Sequence, residues 1–190
     1  MAFEPWVERA LDKWPAVPAL YGWLSLDRRG RWRIRGQIIT RPQIIDTIGA
    51  NYAADARGCW FFQNGPQRGY MKLEWTPFVL RRDAGDALFT HTGRPVEQLL
   101  SAHLDEEGSL LIRTEHGVGG IDPNDLDWLL AHLHADGGAD VEASLYAALA
   151  TPSGSPTRLC LSLGNQDVRV DRLDDDQAPG LLGFVRDPQP

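Results

Sequence analysis

The string LDRRGRWRIRG, beginning at Leu26, and the string LDEEGSLLIRT, beginning at Leu104, share five residues at one constant offset of 78 positions: Leu26/Leu104, Asp27/Asp105, Gly30/Gly108, Ile34/Ile112 and Arg35/Arg113. A chain that spells one short pattern twice is constrained to build one local structure twice. The shared residues are those a tight hairpin needs: Asp to begin a turn, Gly to take the positive backbone angle of a sharp reversal, Leu and Ile to line the buried side of the flanking strands. Local physics accounts for each match separately. The order of the elements around them is the stronger constraint.

Along the first half, Trp6, Val7, Ala10, Leu11 and Trp14 fall on one stripe at helical spacing, and Trp14-Pro15 closes the pattern, so a short docking helix is expected, followed by an extended Pro-containing connector. LYGWLSLD and RWRIRGQI then read as two strands around the DRRG turn. Strict alternation in the second strand puts Trp32 and Ile34 on one face and Arg31, Arg33 and Arg35 on the other. TRPQIIDTIGANY follows as a helix with Thr40 as N-cap, Gln43 at capping-box spacing, and Ile44, Ile45, Ile48 and Tyr52 as the buried stripe. CWFFQ, YMKLEW and FVLRR read as three further strands.

After a strand at LFTHTG, the second half repeats this order. LLSAHLD and SLLIRTE flank the turn DEEG, and GVGGI leads to a helix capped by Asp122, with Pro123 in its first turn and Leu126, Leu129, Leu130 and Leu133 on its apolar face. DVEASLYAALA fits helix or strand, within a stretch, 136–156, whose structure stays open. RLCLSL, the dipeptide Gly164-Asn165, QDVRVDRL and LLGFVR then read as counterparts of the three strands of the first half, with Phe184-Val185-Arg186 matching Phe78-Val79-Leu80-Arg81. The expected fold is α+β, with internally duplicated hairpin-helix-meander units of mostly antiparallel strands and a short N-terminal helix. The expected division is 1–19 for the helix and connector, 20–98 for the first repeat and 99–190 for the second, the halves being small enough to pack closely or share one core.

GRWRIRGQIITRPQIID, GCWFF, TPFVLR and LFTHTG together resemble a proteobacterial family of uncharacterised proteins. More distantly they are similar to a second uncharacterised family with the pattern Gly-x-Trp, Ile-x-Arg, Thr-Pro and Pro-Phe-Val. The resemblance covers most of residues 20–135 and implies repeated α+β motifs and a role in signalling or ligand recognition. It brings no established catalytic residue.

Neither the N-terminal sequence, with Glu4, Glu8 and Asp12, nor any other segment reads as a signal peptide or membrane helix, so a cytoplasmic protein without membrane contact is expected. Cys59 and Cys160, without C-x-x-C spacing, read as reduced, packed thiols. The net charge of −7 divides unevenly: 13 Lys/Arg against 7 Asp/Glu through Arg82, then 6 against 19. Half of the chain is basic.

Arg31, Arg33 and Arg35 on one strand face would present guanidinium forks suited to phosphates or carboxylates. In the second copy these positions become Ser109, Leu111 and Arg113, so the shared fold does not require them, and reversing Arg31 and Arg33 to Glu is expected to leave folding intact. Trp60, Arg68 and Tyr70 mark an aromatic hairpin that serves as core or as a binding surface. The acidic whole argues against nucleic acid. Spacing among His91, His103, His116, His132 and His134 suggests no metal site, and no cofactor is implied. The reading is a recognition module for a small anionic ligand or an acidic partner protein. The alternative is a hydrolase-like enzyme whose residues, such as Asp46, Arg68 or His91, meet only in the folded chain.

Overall fold

In a computed structural model, described for residues 3–14 and 17–190, the chain divides into two compact units. One comprises the residues up to Pro77 together with Gly183–Pro190; the other is Phe78–Leu182. Pro15 and Ala16, read as part of the connector, lie outside the described residues. Among the described residues, no helix is long and apolar enough to cross a membrane.

The first unit contains α1 (Pro5–Lys13), β1 (Leu20–Leu26), β2 (Trp32–Ile34), β3 (Gln37–Ile38), α2 (Pro42–Ala50), β4 (Tyr52–Ala54), β5 (Trp60–Asn64) and β6 (Gln67–Leu73). Its six strands lie in the order β3-β2-β1-β6-β5-β4. β1 and β6 run parallel and the other neighbours antiparallel. One side of the sheet buries Leu26, Trp32, Tyr52, Trp60, Met71 and Leu73, with the Trp32 and Trp60 rings 4.9 and 4.8 Å from that of Tyr52. The other side carries a second cluster of Ala53, Cys59, Phe61 and Tyr70, against which Phe3, Tyr21 and Val185 pack. Both faces are covered, which is why Trp60, Phe61 and Phe62 can follow one another in sequence.

The second unit contains β7 (Phe78–Arg82), β8 (Leu88–Thr90), β9 (Leu99–Leu104), β10 (Leu110–Thr114), β11 (Gly117–Ile121), a 3₁₀ turn at Pro123–Asp125, α3 (Leu126–His132), β12 (Leu133–Ala135), α4 (Val141–Leu149), β13 (Pro156–Leu163), β14 (Gln166–Arg172) and α5 (Ala178–Leu182). Its sheet runs β12-β13-β14-β9-β10-β11-β7-β8. With β7 and β8 set aside, the order β11-β10-β9-β14-β13-β12 matches that of the first sheet strand for strand, and β9 and β14 are again the parallel pair. A helix follows the third strand in both. The correspondence reaches single bonds: Glu74 N–H donates to Leu26 O, and Leu173 N–H to Leu104 O, each at 3.0 Å.

Several expectations need correction. Residues 78–82, read as the last strand of the first repeat, lie in the second sheet, parallel to β11 and antiparallel to β8, and the tail from Gly183 returns to the first unit. The boundaries therefore differ from 20–98 and 99–190. Phe78, Val79 and Leu80 are all buried, and a strand apolar on both faces needs an interior place in a sheet. Gly119 makes that place: a Cβ on it would stand 2.6 Å from Leu80 Cγ, so GVGGI is a strand whose glycine admits a leucine. LLGFVR is no strand. It is the end of α5, a turn at Gly183 with φ +77, and one bridge from Val185 to Cys59.

Helix caps also differ. With Pro42 in the first turn of α2, the N-cap is Arg41 and makes no side-chain bond, so the Thr40–Gln43 box does not form; of the expected stripe, Ile48 and Tyr52 are buried and Ile44 is exposed. Asp122 does cap its turn, accepting from Asn124 N–H at 3.0 Å. α3 stops at His132, and Leu133 already belongs to a strand. Residues 141–149, which fit either state, are helical, capped by Asp140.

Candidate functional site

The site starts from the β1–β2 turn. Asp27, only 3% exposed, accepts the backbone N–H of Arg29 at 3.0 Å and of Arg31 at 2.9 Å, the bonding pattern of an Asx turn. Its second oxygen takes Arg31 Nε at 2.7 Å and Arg33 Nη2 at 3.1 Å. Burial alone would raise this carboxyl, but the hydrogen bonds from Arg31, Arg33 and Arg29 outweigh it and hold the group below the ordinary aspartate value. Two of the three strand arginines thus have an internal partner, which gives them a part in folding that the alternating pattern did not imply.

Arg35 leaves the alternation altogether. It shares a two-residue hairpin turn with Gly36, between Ile34 and Gln37, and both take positive φ, +48 and +80. The turn sends the guanidinium to the other face, where it stacks 3.8 Å over the ring of Trp23. Trp23 is 42% exposed and Ile34 44%. Together with Leu20, Leu24, Phe62 and Gly69 they line a groove of about 150 Å³. Gly69 keeps it open for Leu24: a Cβ there would stand 2.8 Å from Leu24 Cδ1.

The aromatic hairpin supplies the opposite face. Phe61 and Tyr70 are register partners with rings 5.7 Å apart, and Tyr70 stacks on Tyr21 at 4.6 Å. Arg68 lies 4.0 Å over Phe61 and donates to Gln63 Oε1 at 3.3 Å. Tyr70 O–H donates to Asp55 Oδ2 at 2.9 Å, beside Arg57 at 3.3 Å from the same oxygen. Burial pushes the Tyr70 hydroxyl above its usual value. Trp60, buried against Tyr52, belongs to the core.

The six expected residues are therefore not one constellation. Arg31, Arg33, Arg68 and Tyr70 share a face, Trp60 is inside, and Arg35 meets Trp23 on the groove side. Trp23 was missed because it stands in a strand whose neighbours read as ordinary core, and only the turn at Arg35-Gly36 brings a cation over it. Of the residues named for a hydrolase, Asp46 and Arg68 lie in the first unit and His91 in the second, where its Nδ1 accepts from Val79 N–H at 3.2 Å.

Residues 3–189 match the family described as a protein of unknown function, DUF2946. The chain belongs to that family. No curated protein matches it. Among solved structures it is similar to a DUF1285 family protein from Silicibacter pomeroyi DSS-3, with TM-score 0.50 and 14% identity over 67% of this chain and 78% of that one. A DUF1285 family protein from Shewanella baltica OS155 aligns with TM-score 0.41 and 13% identity over 54% of this chain and 86% of that one. The first likeness bears on the fold alone.

Proposed function

We propose that this DUF2946 protein is a recognition module whose first unit docks an acidic segment of a partner protein, one apolar side chain of which enters the Trp23 groove beneath Arg35. The observation that carries this reading is the exposed Trp23–Arg35 stack at the mouth of an apolar groove, since Trp and Arg are the residues that dominate binding energy at interfaces. Charge supports the acidic partner: the first unit holds 12 Lys/Arg against 8 Asp/Glu, while the second holds 7 against 18. A small anion as sole ligand fits less well. Pockets for whole small molecules run to about 300–1,000 Å³, and this groove is smaller, with walls that are mostly apolar. The signalling role implied by the family resemblance is read here as such docking, by a chain built on one plan used twice.

The test is selection of displayed random peptides on the immobilised full chain. Enrichment of sequences with one large apolar residue flanked by Asp or Glu, lost with Trp23→Ala and shifted toward basic flanks by Arg35→Glu, is the expected result. Absence of enrichment, or enrichment indifferent to both variants, overturns the reading.

A further inference from the structure

Three neighbouring strands of the second sheet carry a polar cluster that the repeated plan does not require. His134 on β12 is the register partner of Cys160 on β13, and Ser162, two residues along the same face, is the partner of Asp167 on β14. One donor atom from each of His134, Cys160 and Asp167 lies within 4.8 Å of the other two. A tetrahedral ion with bonds of about 2.0–2.3 Å holds its donors roughly 3.3–3.8 Å apart. The 4.8 Å limit is about 1 Å wider than that spacing, a gap for side-chain rotation to close.

Hydrogen bonds orient the set. Ser162 O–H donates to Asp167 Oδ1 at 3.1 Å, and its oxygen lies 3.2 Å from His134 Nδ1. With its one hydrogen committed to the carboxylate, the hydroxyl accepts from Nδ1–H, which leaves the lone pair of the neutral imidazole on Nε2. Nε2 lies 3.4 Å from Asp167 Oδ2. In that tautomer two electron-pair donors face each other, an arrangement a cation can bridge.

Asp136 stands beside the thiol. Its Oδ1 lies 3.5 Å from Cys160 Sγ, while Arg169 holds its Oδ2 at 3.3 Å. One oxygen is held by a guanidinium and the other is turned to the thiol, the place of an outer-shell partner to the Cys160 ligand. Asp136 and Arg169 also border a cleft of about 530 Å³ that includes Ala143, Thr157 and Arg158. A serine-hydrolase triad fits the same residues less well, because Ser162 bonds directly to Asp167 and closes a ring, where a triad needs nucleophile, base and carboxylate in a row.

We propose that His134, Cys160 and Asp167 form a binding site for a divalent cation of the zinc class, the fourth position being left to water. One sulfur, one nitrogen and carboxylate oxygens suit zinc and disfavour magnesium or calcium, which take oxygen ligands almost alone. Sequence spacing hid the site, since 26 positions separate His134 from Cys160 and no short metal motif spans them.

The chelator-stripped full chain should be titrated with zinc by calorimetry and with cobalt by absorption. One ion per chain is expected, with a thiolate-to-cobalt charge-transfer band that Cys160→Ser abolishes and Cys59→Ser leaves in place. His134→Gln and Asp167→Asn, both at exposed side chains, should keep the circular dichroism of the fold and weaken zinc by about tenfold or more each. The site is overturned if the folded wild-type chain takes up no stoichiometric zinc, or if uptake is indifferent to both of these exposed substitutions.

Discussion

Asp27 and Asp105 close equivalent turns in the two sheets: each accepts the backbone N–H groups two and four residues on, at 3.0 and 2.9 Å from Arg29 and Arg31 and at 3.0 and 2.7 Å from Glu107 and Ser109. Both are buried. They differ in the second oxygen. Arg31 and Arg33 occupy that of Asp27, whereas Asp105 Oδ2 has no hydrogen-bond partner among the described residues, the matching positions being Ser109 and Leu111. Burial accordingly raises the Asp105 carboxyl, its two backbone bonds notwithstanding, while Asp27 is lowered.

Opposite shifts give opposite pH dependence. Asp27 binds its proton less tightly in the folded chain, so its contribution is present above the unfolded value of about 3.9 and is lost as pH falls through the lowered one. Asp105 binds its proton more tightly when folded, so its contribution is present below about 3.9 and is lost as pH rises through the raised one. Asp27→Asn should cost about 1–2 kcal/mol at pH 7, less than a fully buried charged bond because Arg31 is half exposed. Asp105→Asn should flatten the decline of stability as pH rises from about 4 toward neutrality. Urea denaturation of both variants across that range checks the pair.

Arg31→Glu with Arg33→Glu would put two carboxylates against buried Asp27 in place of two guanidiniums. The double variant is expected to lose about 2 kcal/mol, where an exposed strand face would lose next to nothing. A loss within about 0.5 kcal/mol would show that Asp27 is satisfied by its backbone bonds alone. Chemical denaturation at low and high salt distinguishes the two outcomes.

The hairpins, the two Asp turns and the three-strand groups were legible in the sequence because each depends on neighbours in the chain: Asp and Gly at turn positions, alternation along RWRIR, buried Leu and Ile. Sheet membership was not. Phe78-Val79-Leu80 reads as a strand from its own residues, but only the gap at Gly119 determines which sheet admits it, and that gap is 39 residues away. The groove was hidden for a related reason. Alternation predicts where Arg31 and Arg33 point, yet it fails two residues later, at Arg35, where a positive φ sends the side chain across the sheet edge.

Arg35 offers a separation of binding from stability. A non-glycine residue in the left-handed region costs about 1–2 kcal/mol, and an exposed cation–π contact returns about 0.5–1 kcal/mol. Arg35→Gly removes both and should leave the melting temperature nearly unchanged, while peptide capture through the Trp23 groove falls. A large drop in stability would make the Trp23 contact a structural one.

Gly58→Ala tests how the C-terminal tail is held. Gly58 has φ +79, and a Cβ there would stand 2.5 Å from the backbone oxygen of Gly183, a contact no side-chain rotation relieves. The same backbone stretch carries the tail: Gly58 O accepts from Val185 N–H at 3.0 Å, Cys59 bridges Val185, and Arg186 O accepts from Leu73 N–H at 2.7 Å. Alanine must therefore displace residues 183–186 and expose the cluster of Phe61 and Tyr70 on which Val185 packs. Gly154 is the control, with φ +83 and nothing within 4 Å of its would-be Cβ. Gly154→Ala should cost only the left-handed penalty of about 1–2 kcal/mol. Gly58→Ala should cost about 3 kcal/mol or more, the same penalty plus lost packing and hydrogen bonds, and limited proteolysis should then cut near Arg186. If the two variants unfold at the same denaturant concentration, the tail does not depend on its bonds to Gly58.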